Sequence, residues 1–305
     1  MATYNLTFAG YKGEKSIHAA AARHFGERLT ALLGDDINYN LLSDAISQGP
    51  GFENPSEVVA AGNLDLCYMA TIRFAKYVPE FVFFDLPYLT DDRATLFTLL
   101  RGELGDFFKT ELERTSPLKI LAFWDNGLRQ VSNRVRPITS LADCEGIAIR
   151  TQVSDVIGDS VRAMGFTAKP LDIKIYRKDL DRADIQAQDN DLPTIFNFAI
   201  HHHHPYITLT GHILGMQMVI CSQKAYAAWP DALRDAVHQA LDEATLYQQN
   251  LSMERDADTV AKLEAEGTTV TRLDAEKMAA FHAAAATVRA KYRPAFPHKV
   301  FEGLV

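Results

Sequence analysis

Four arginines, Arg129, Arg134, Arg136 and Arg150, fall within residues 123–152, FWDNGLRQVSNRVRPITSLADCEGIAIRTQ, in a chain whose formal net charge is −8. A guanidinium at the end of a short apolar strand is held rigidly and offers a planar fork of donors that matches a carboxylate in a bidentate pair. Arg150 closes the apolar run Ile147-Ala148-Ile149 and is placed for that chemistry. The ordinary fate of an arginine is a surface salt bridge, and that reading is kept for Arg134 and Arg136.

Other residue types give less. His201-His202-His203-His204 is the one low-complexity run. Adjacent residues on a helix point roughly 100° apart, so at most two of these imidazoles could face one metal, and HExxH is absent. The run reads as a solvated helix end; a zinc-dependent site at His201 to His204, or an enzyme, is the alternative. The acidic pairs Asp189/Asp191 and Glu53/Glu57 read as solvated. There is no GxSxG elbow, no GxxxxGK[ST] loop and no GxGxxG after the first strand. Cys67, Cys144 and Cys221 show no CxxC spacing and read as free thiols. No cofactor, metal or catalytic residue is expected.

The elements that must position the arginines follow from periodicity. The chain has 305 residues, 47% apolar and 23% charged, enough to bury a large core and long enough to favour two domains. No apolar run approaches the roughly 18 to 20 residues that span a bilayer, and the acidic balance without a basic block argues against nucleic acid as a partner. Met1-Ala2 leads straight into a strand-like run, a start compatible with a removed signal peptide and an added Met, or with a cytoplasmic product. Short strand-length apolar runs alternate with helical segments, the pattern of an α/β fold with parallel strands. Strands are expected at 4–9, 37–42, 64–69, 119–124, 147–150, 168–171 and 218–221, and helices at 16–33, 55–61, 94–114, 153–164, 176–182, 195–200 and 274–291. Residues 231–267 read as one helix, long enough to bridge two domains.

Several segments carry a resemblance. They are Ala122 to Arg129 followed by Ser132-Asn133, Arg136-Pro137-Ile138 and Leu141 to Arg150; Tyr77-Val78-Pro79-Glu80-Phe81 before Asp85-Leu86-Pro87-Tyr88-Leu89; Gly62-Asn63-Leu64-Asp65; Gln188-Asp189-Asn190; and Thr208-Leu209-Thr210-Gly211-His212. Together they resemble the DctP-type solute-binding proteins of tripartite ATP-independent periplasmic (TRAP) transporters over nearly the whole chain. The resemblance implies a two-domain type II periplasmic-binding-protein fold with a long bridging helix and a ligand held in the cleft between domains. It implies that Arg150 anchors a ligand carboxylate, that Arg129 adds a charge-assisted bond, and that Asn190 donates and accepts in the pocket. Tyr11, Tyr68, Thr71 and Trp124 lie at strand ends or adjoining loops where they could line the cleft, or could serve the core.

The chain also departs from the family's pattern. Asn190-Asp191 replaces the usual Asn-Pro, Gln186-Ala187 the usual Asp-Gly, and Gly49-Pro50-Gly51-Phe52-Glu53 the usual Gly-rich loop. Asp172-Ile173-Lys174-Ile175 stands where the family writes Pro-Phe-Ser-Glu, so the aromatic that often stacks on the ligand is Ile173 here, which favours a polar acid. The resemblance therefore implies a periplasmic, non-enzymatic protein that binds a sugar acid, a hydroxy or keto acid, or a C4-dicarboxylate, and delivers it to membrane permease subunits driven by an ion gradient. Domain I is expected at 1–125 plus 214–252 and domain II at 126–213 plus 253–305, with a hinge near 124–128 and 212–216.

Overall fold

The computed structural model describes residues 3–49, 51–90 and 92–304. Met1, Ala2, Pro50, Asp91 and Val305 lie outside the described residues, as do the side chains of Lys174 and Lys299. β1 (Tyr4–Ala9), α1 (Ile17–Leu33), β2 (Ile37–Leu42), α2 (Pro55–Ala60) and β3 (Leu66–Ala70) open the chain. α3 (Arg93–Leu100) and α4 (Glu103–Thr115) lead into the long β4 (Leu118–Asn133). Next come β5 (Ala148–Thr151), α5 (Asp155–Ala163), β6 (Thr167–Pro170), α6 (Ile173–Tyr176), β7 (Ala187–Asp191) and α7 (Leu192–Asn197). The chain closes with β8 (Tyr206–Ser222), α8 (Gln223–Ala228), α9 (Asp231–Ala265), β9 (Thr269–Arg272) and α10 (Ala275–Tyr292).

These elements cluster into two compact units. The first holds Met1–Pro79, Leu99–Asp125 and Met216–Ser252, and the second Glu80–Thr98, Asn126–Gly215 and Met253–Val305. β4, β8 and α9 each begin in one unit and end in the other.

In the first unit β1 lies parallel to β2, from Tyr4↔Ile37 to Ala9↔Leu42, and parallel to β3 at Phe8↔Leu66. The end of β8 joins antiparallel, Leu66↔Cys221 to Ala70↔Gln217, so the sheet is mixed rather than parallel throughout. Ser16 starts α1 by accepting the Ala19 N–H at 3.1 Å, satisfying a donor that helix geometry leaves open. The buried face of α1, with Ala21, Ala22, Phe25 and Leu29, packs on Leu6, Phe8 and Tyr68 and on Val237, Ala240 and Leu241 of α9. Each fully buried Leu or Phe contributes roughly 1.5–3 kcal/mol.

The second unit orders its strands β6-β5-β7-β4. β5 is parallel to β6 and β7, and β4 runs antiparallel to β7 from Arg129↔Asp191 to Asn133↔Ala187. Its core gathers Val131, Ile147, Ile149, Val161, Met164, Phe281 and Ala285. Residues 80–98 also cluster here, although the sequence placed them with domain I. Asp85 accepts from Ser154 at 2.9 Å, Tyr88 N–H donates to His212 O at 2.8 Å, Phe83 packs on Phe296 and Phe301, and Arg93 pairs with Asp256.

Other expectations are altered locally. The helix expected over 94–114 is broken between α3 and α4 at Gly102, and Gly105 sits so close to Leu100 O that a Cβ would lie 1.9 Å from it. The helix expected over 176–182 is a turn after Tyr176, because the Arg134 guanidinium collects the carbonyls of Leu180, Arg182 and Ile185. Arg134 and Arg136 thus bind backbone rather than forming only surface ion pairs; Arg136 donates to Asp143 O at 3.0 Å and to Glu145 O at 2.6 Å. The histidine run is not a solvated helix end. Ala199 adopts φ 53, a 3-10 turn covers Ile200–His202, and His201 and His204 are buried. The three cysteines are buried and free. Among the described residues, no helix is long and apolar enough to cross a membrane.

Candidate functional site

Arg150 stands in β5 opposite Gln188 of β7 and is only 1% exposed. Its Nε donates to Leu171 O at 2.6 Å, and the Tyr176 ring centroid lies 6.0 Å from its guanidinium carbon. Those contacts fix the plane of the fork while leaving one arm unused: Nη1 is buried and has no hydrogen-bond partner. Burial pulls the pKa of this side chain down to about 10, with the Arg129 charge adding to the effect and Asp189 opposing it. An unpartnered buried N–H on a cation is costly, and it is the kind of group that an anion satisfies.

The neighbouring strand carries a row of polar side chains, all buried. Alternation along β7 puts Gln188 and Asn190 on one face, the face of their partners Arg150 and Ser132, and Asp189 and Asp191 on the other with Arg129. On the first face Asn190 Nδ2 donates to Gln188 Oε1 at 3.3 Å, and Gln188 Nε2 donates to Ser132 Oγ at 2.7 Å. His204 extends the chain, its Nδ1 3.1 Å from Ser132 Oγ and its Nε2 3.1 Å from the Tyr176 hydroxyl. Burial pushes the His204 pKa down to about 3, so its ring is neutral, with one nitrogen donating and the other accepting. A continuous set of hydrogen bonds therefore runs from Asn190 to the tyrosine beside Arg150.

Arg129 is engaged quite differently. Its Nε meets Asp189 Oδ2 at 2.5 Å, Nη2 donates to Asp189 O at 2.6 Å, and Nη1 reaches Asn190 Oδ1 at 3.5 Å. Burial works against both charges, but Asp189 holds the Arg129 pKa above its ordinary value and Arg129 holds that of Asp189 well below the carboxylate range. Asp85, also buried, has its pKa pushed up to about 7 by burial, against the Ser154 hydrogen bond and the Arg129 charge.

The remaining predicted site residues belong to the first unit. Trp124 and Tyr68 are fully buried in its core; the Trp124 indole N–H donates to Thr245 Oγ1 at 3.0 Å. His18 stacks on Tyr68 at 5.2 Å and contacts Asp125 O through Nε2 at 2.9 Å. Tyr11 is half-buried with its ring 5.5 Å from that of Tyr68, and the Thr71 hydroxyl donates to Met216 O at 3.2 Å. Of the residues expected from sequence, Arg150, Arg129 and Asn190 lie on neighbouring strands of the second unit, and beside them stand Gln188, Ser132, His204, Tyr176 and Asp85, which sequence reasoning passed over. The pairing of 187–191 with 129–133 was the signal that could have found Gln188 and Ser132, since it makes a polar run a central strand.

With this geometry in place, comparison with known proteins decides the family. The family described as bacterial extracellular solute-binding protein, family 7 (DctP), matches residues 8–294. The chain belongs to the DctP family. Among relatives of this DctP-family chain, the 2,3-diketo-L-gulonate-binding periplasmic protein YiaO of Escherichia coli is 24% identical over 83% of this chain and 76% of its own length. The C4-dicarboxylate-binding periplasmic protein DctP of Rhodobacter capsulatus is 26% identical over 74% of this chain and 68% of its own. Among solved structures, the sugar acid binding protein DctPAm of Advenella mimigardefordensis, in complex with galactonate, superposes with a TM-score of 0.88 at 23% identity, covering 99% of this chain and 97% of that one. The α/β fold in two units is the fold of these solute-binding proteins, and this chain is a solute-binding protein of the same family.

Proposed function

We propose that this chain captures a small organic acid in the periplasm through the acid's carboxylate, with Arg150 as the anchor, and delivers it to the membrane permease of a TRAP transporter without chemical change. The reading is carried by Nη1 of Arg150, a buried cationic donor with no partner, on a guanidinium whose orientation is already fixed from two sides. Fixing the fork beforehand lowers the ordering cost that binding would otherwise incur. Asn190, on the same sheet face, supplies a second polar contact whose amide is oriented by Gln188. Arg129 acts chiefly through Asp189 and Asn190, holding that strand in place. Of the first unit's candidates, Trp124 and Tyr68 support the core that carries Tyr11 and Thr71, which are retained as candidate ligand contacts.

The ligand class is a sugar acid, a hydroxy or keto acid, or a C4-dicarboxylate. The names of the relatives support an acid, and Ile173, half-buried where an aromatic is usual, favours a polar one. A thermal-shift screen with such acids tests the reading, because a ligand at 100 times its Kd adds about 2.7 kcal/mol to stability. The expected result is a shift with at least one acid and none with its primary amide. Equal shifts with acid and amide, or a response confined to neutral solutes, would overturn it.

A further inference from the structure

We propose that His201, His202 and Glu266 form a binding site for a divalent transition-metal ion on the second unit, distinct from the Arg150 site. Their donor atoms lie within 4.8 Å of one another: both Nε2 atoms face Glu266 Oε2, at 2.8 Å from His201 and 3.1 Å from His202. Adjacent histidines converge here although successive residues of a 3-10 turn project about 120° apart: the His201 and His202 rings meet edge-on with centroids 4.2 Å apart, and both Nε2 atoms turn to Glu266. The carboxylate arrives from just beyond the last turn of α9, where the Glu266 N–H bonds Lys262 O and Gly267 takes φ 88.

His201 is the enclosed member of the three, its side chain 3% exposed. Its ring is buried, stacked on Phe196 at 5.1 Å and 10°, with Nδ1 turned to Ile195 O at 3.5 Å. With the proton on Nε2 the ring donates to Glu266; with the proton on Nδ1, facing the Ile195 carbonyl, Nε2 is a lone pair turned to the carboxylate. In the second tautomer a metal ion takes the place of the proton between the two acceptors, which lie 2.8 Å apart. Metal-binding histidines characteristically donate their outer N–H to a carbonyl or carboxylate in this way. Two imidazoles and one carboxylate are the donor set of open zinc sites, and nitrogen-rich ligation suits zinc, copper and nickel better than calcium or magnesium.

The geometry is within reach of a metal. Ligands bonded tetrahedrally at about 2.0–2.1 Å lie about 3.3 Å apart; the two contacts to Glu266, at 2.8 and 3.1 Å, fall just short of that, and all three donors lie within 4.8 Å of one another. Glu266 and His202 are 44% and 59% exposed, which lets them adjust and leaves water to complete the shell. Occupation would pin the end of α9 to the turn after α7.

The test uses the full chain, expressed without a tag or metal chromatography and stripped with a chelator. Titration with zinc chloride by calorimetry, and with cobalt(II) by visible absorption, should give one ion per chain, the absorption of a nitrogen/oxygen-ligated cobalt site, and a raised Tm. His202→Ala and Glu266→Gln alter exposed side chains and should fold normally by circular dichroism, each weakening the metal at least about 10-fold while leaving organic-acid binding unchanged. Absence of saturable binding, or equal affinity in the wild type and both variants, would overturn the proposal. Loss of acid binding in Arg150→Ala with metal binding intact would keep the two sites separate.

Discussion

Two buried arginines about twenty residues apart in sequence have opposite surroundings. Arg129 meets a carboxylate, a backbone carbonyl and an amide oxygen, and its three nitrogens are all committed. Arg150 has one carbonyl on Nε, an aromatic ring nearby and a bare Nη1. The contrast appears in their pKa directions, with Arg129 raised and Arg150 lowered to about 10. Burial opposes the charge in both cases; only Arg129 has a counter-ion in contact that outweighs it. The fold supplies the anion that Arg129 needs, and in the proposed function the anion that Arg150 lacks is the ligand's carboxylate. Strand alternation keeps the two roles apart, since Arg129 shares a sheet face with Asp189 and Arg150 shares the opposite face with Asn190.

The largest effect that tests this contrast belongs to Arg129. Arg129→Ala strands a buried Asp189 charge and should cost about 3–5 kcal/mol of stability, and adding Asp189→Asn should restore much of it, both measured by urea denaturation. The resemblance implied that Arg129 adds a charge-assisted bond to the ligand; with all three of its nitrogens engaged within the fold, its loss is expected to act primarily on stability. Arg150→Ala should do the reverse, leaving stability near the wild type while weakening the cognate acid by about 2–5 kcal/mol, roughly 1.5 to 3.5 decades in Kd by calorimetry. Arg150→Lys should recover only part, because an ammonium lacks the planar fork.

A smaller effect concerns pH. The folded-state pKa of Asp85 is raised from the ordinary carboxylate value to about 7, so the native state holds a proton that the unfolded chain has released. Its contribution is fully present below about pH 4 and is lost as pH rises towards 7. Asp85→Asn should therefore flatten the fall in Tm between about pH 4 and 7, and an identical slope in both proteins would remove Asp85 as its source. Asp189, with a lowered pKa, acts only at more acid pH, where its contribution is lost as pH falls below the ordinary carboxylate range. The smallest effect is Arg136→Ala, which removes bonds to two carbonyls of a partly exposed loop. It should cost about 1 kcal/mol of stability and leave Kd for the acid unchanged within twofold.

Much of the fold was legible because its signals are local. The strand over 4–9, the Ser16-capped helix and the 35-residue α9 follow from alternation, capping and period alone. What escaped depends on partners distant in sequence. Tyr176 to Arg182 has helical composition, yet Arg134, some 46 residues earlier, pulls its carbonyls into a turn. Asp189 and Asp191 read as solvated, yet Ala187 to Asp191 is a fully buried strand, because β4 and β5 flank it and polar side chains across the strands bond one another. The same reason hid half of the site. Arg150 was visible as a cation closing an apolar run, whereas the His204–Ser132–Gln188–Asn190 relay exists only once strands and a 3-10 turn are brought together.

The claim at the centre of this account is that the bare edge of Arg150 reads a carboxylate. Its most direct test is a calorimetric double comparison: the acid that gives the largest thermal shift, and its primary amide, each titrated into the wild type and into Arg150→Ala. The account predicts that the wild type prefers the acid by at least about 30-fold and that the preference collapses to within a few-fold in Arg150→Ala, because the variant has lost the group that distinguishes the two. If the variant kept the full preference for the acid while remaining folded, the carboxylate would be read elsewhere and Arg150 would not be the anchor.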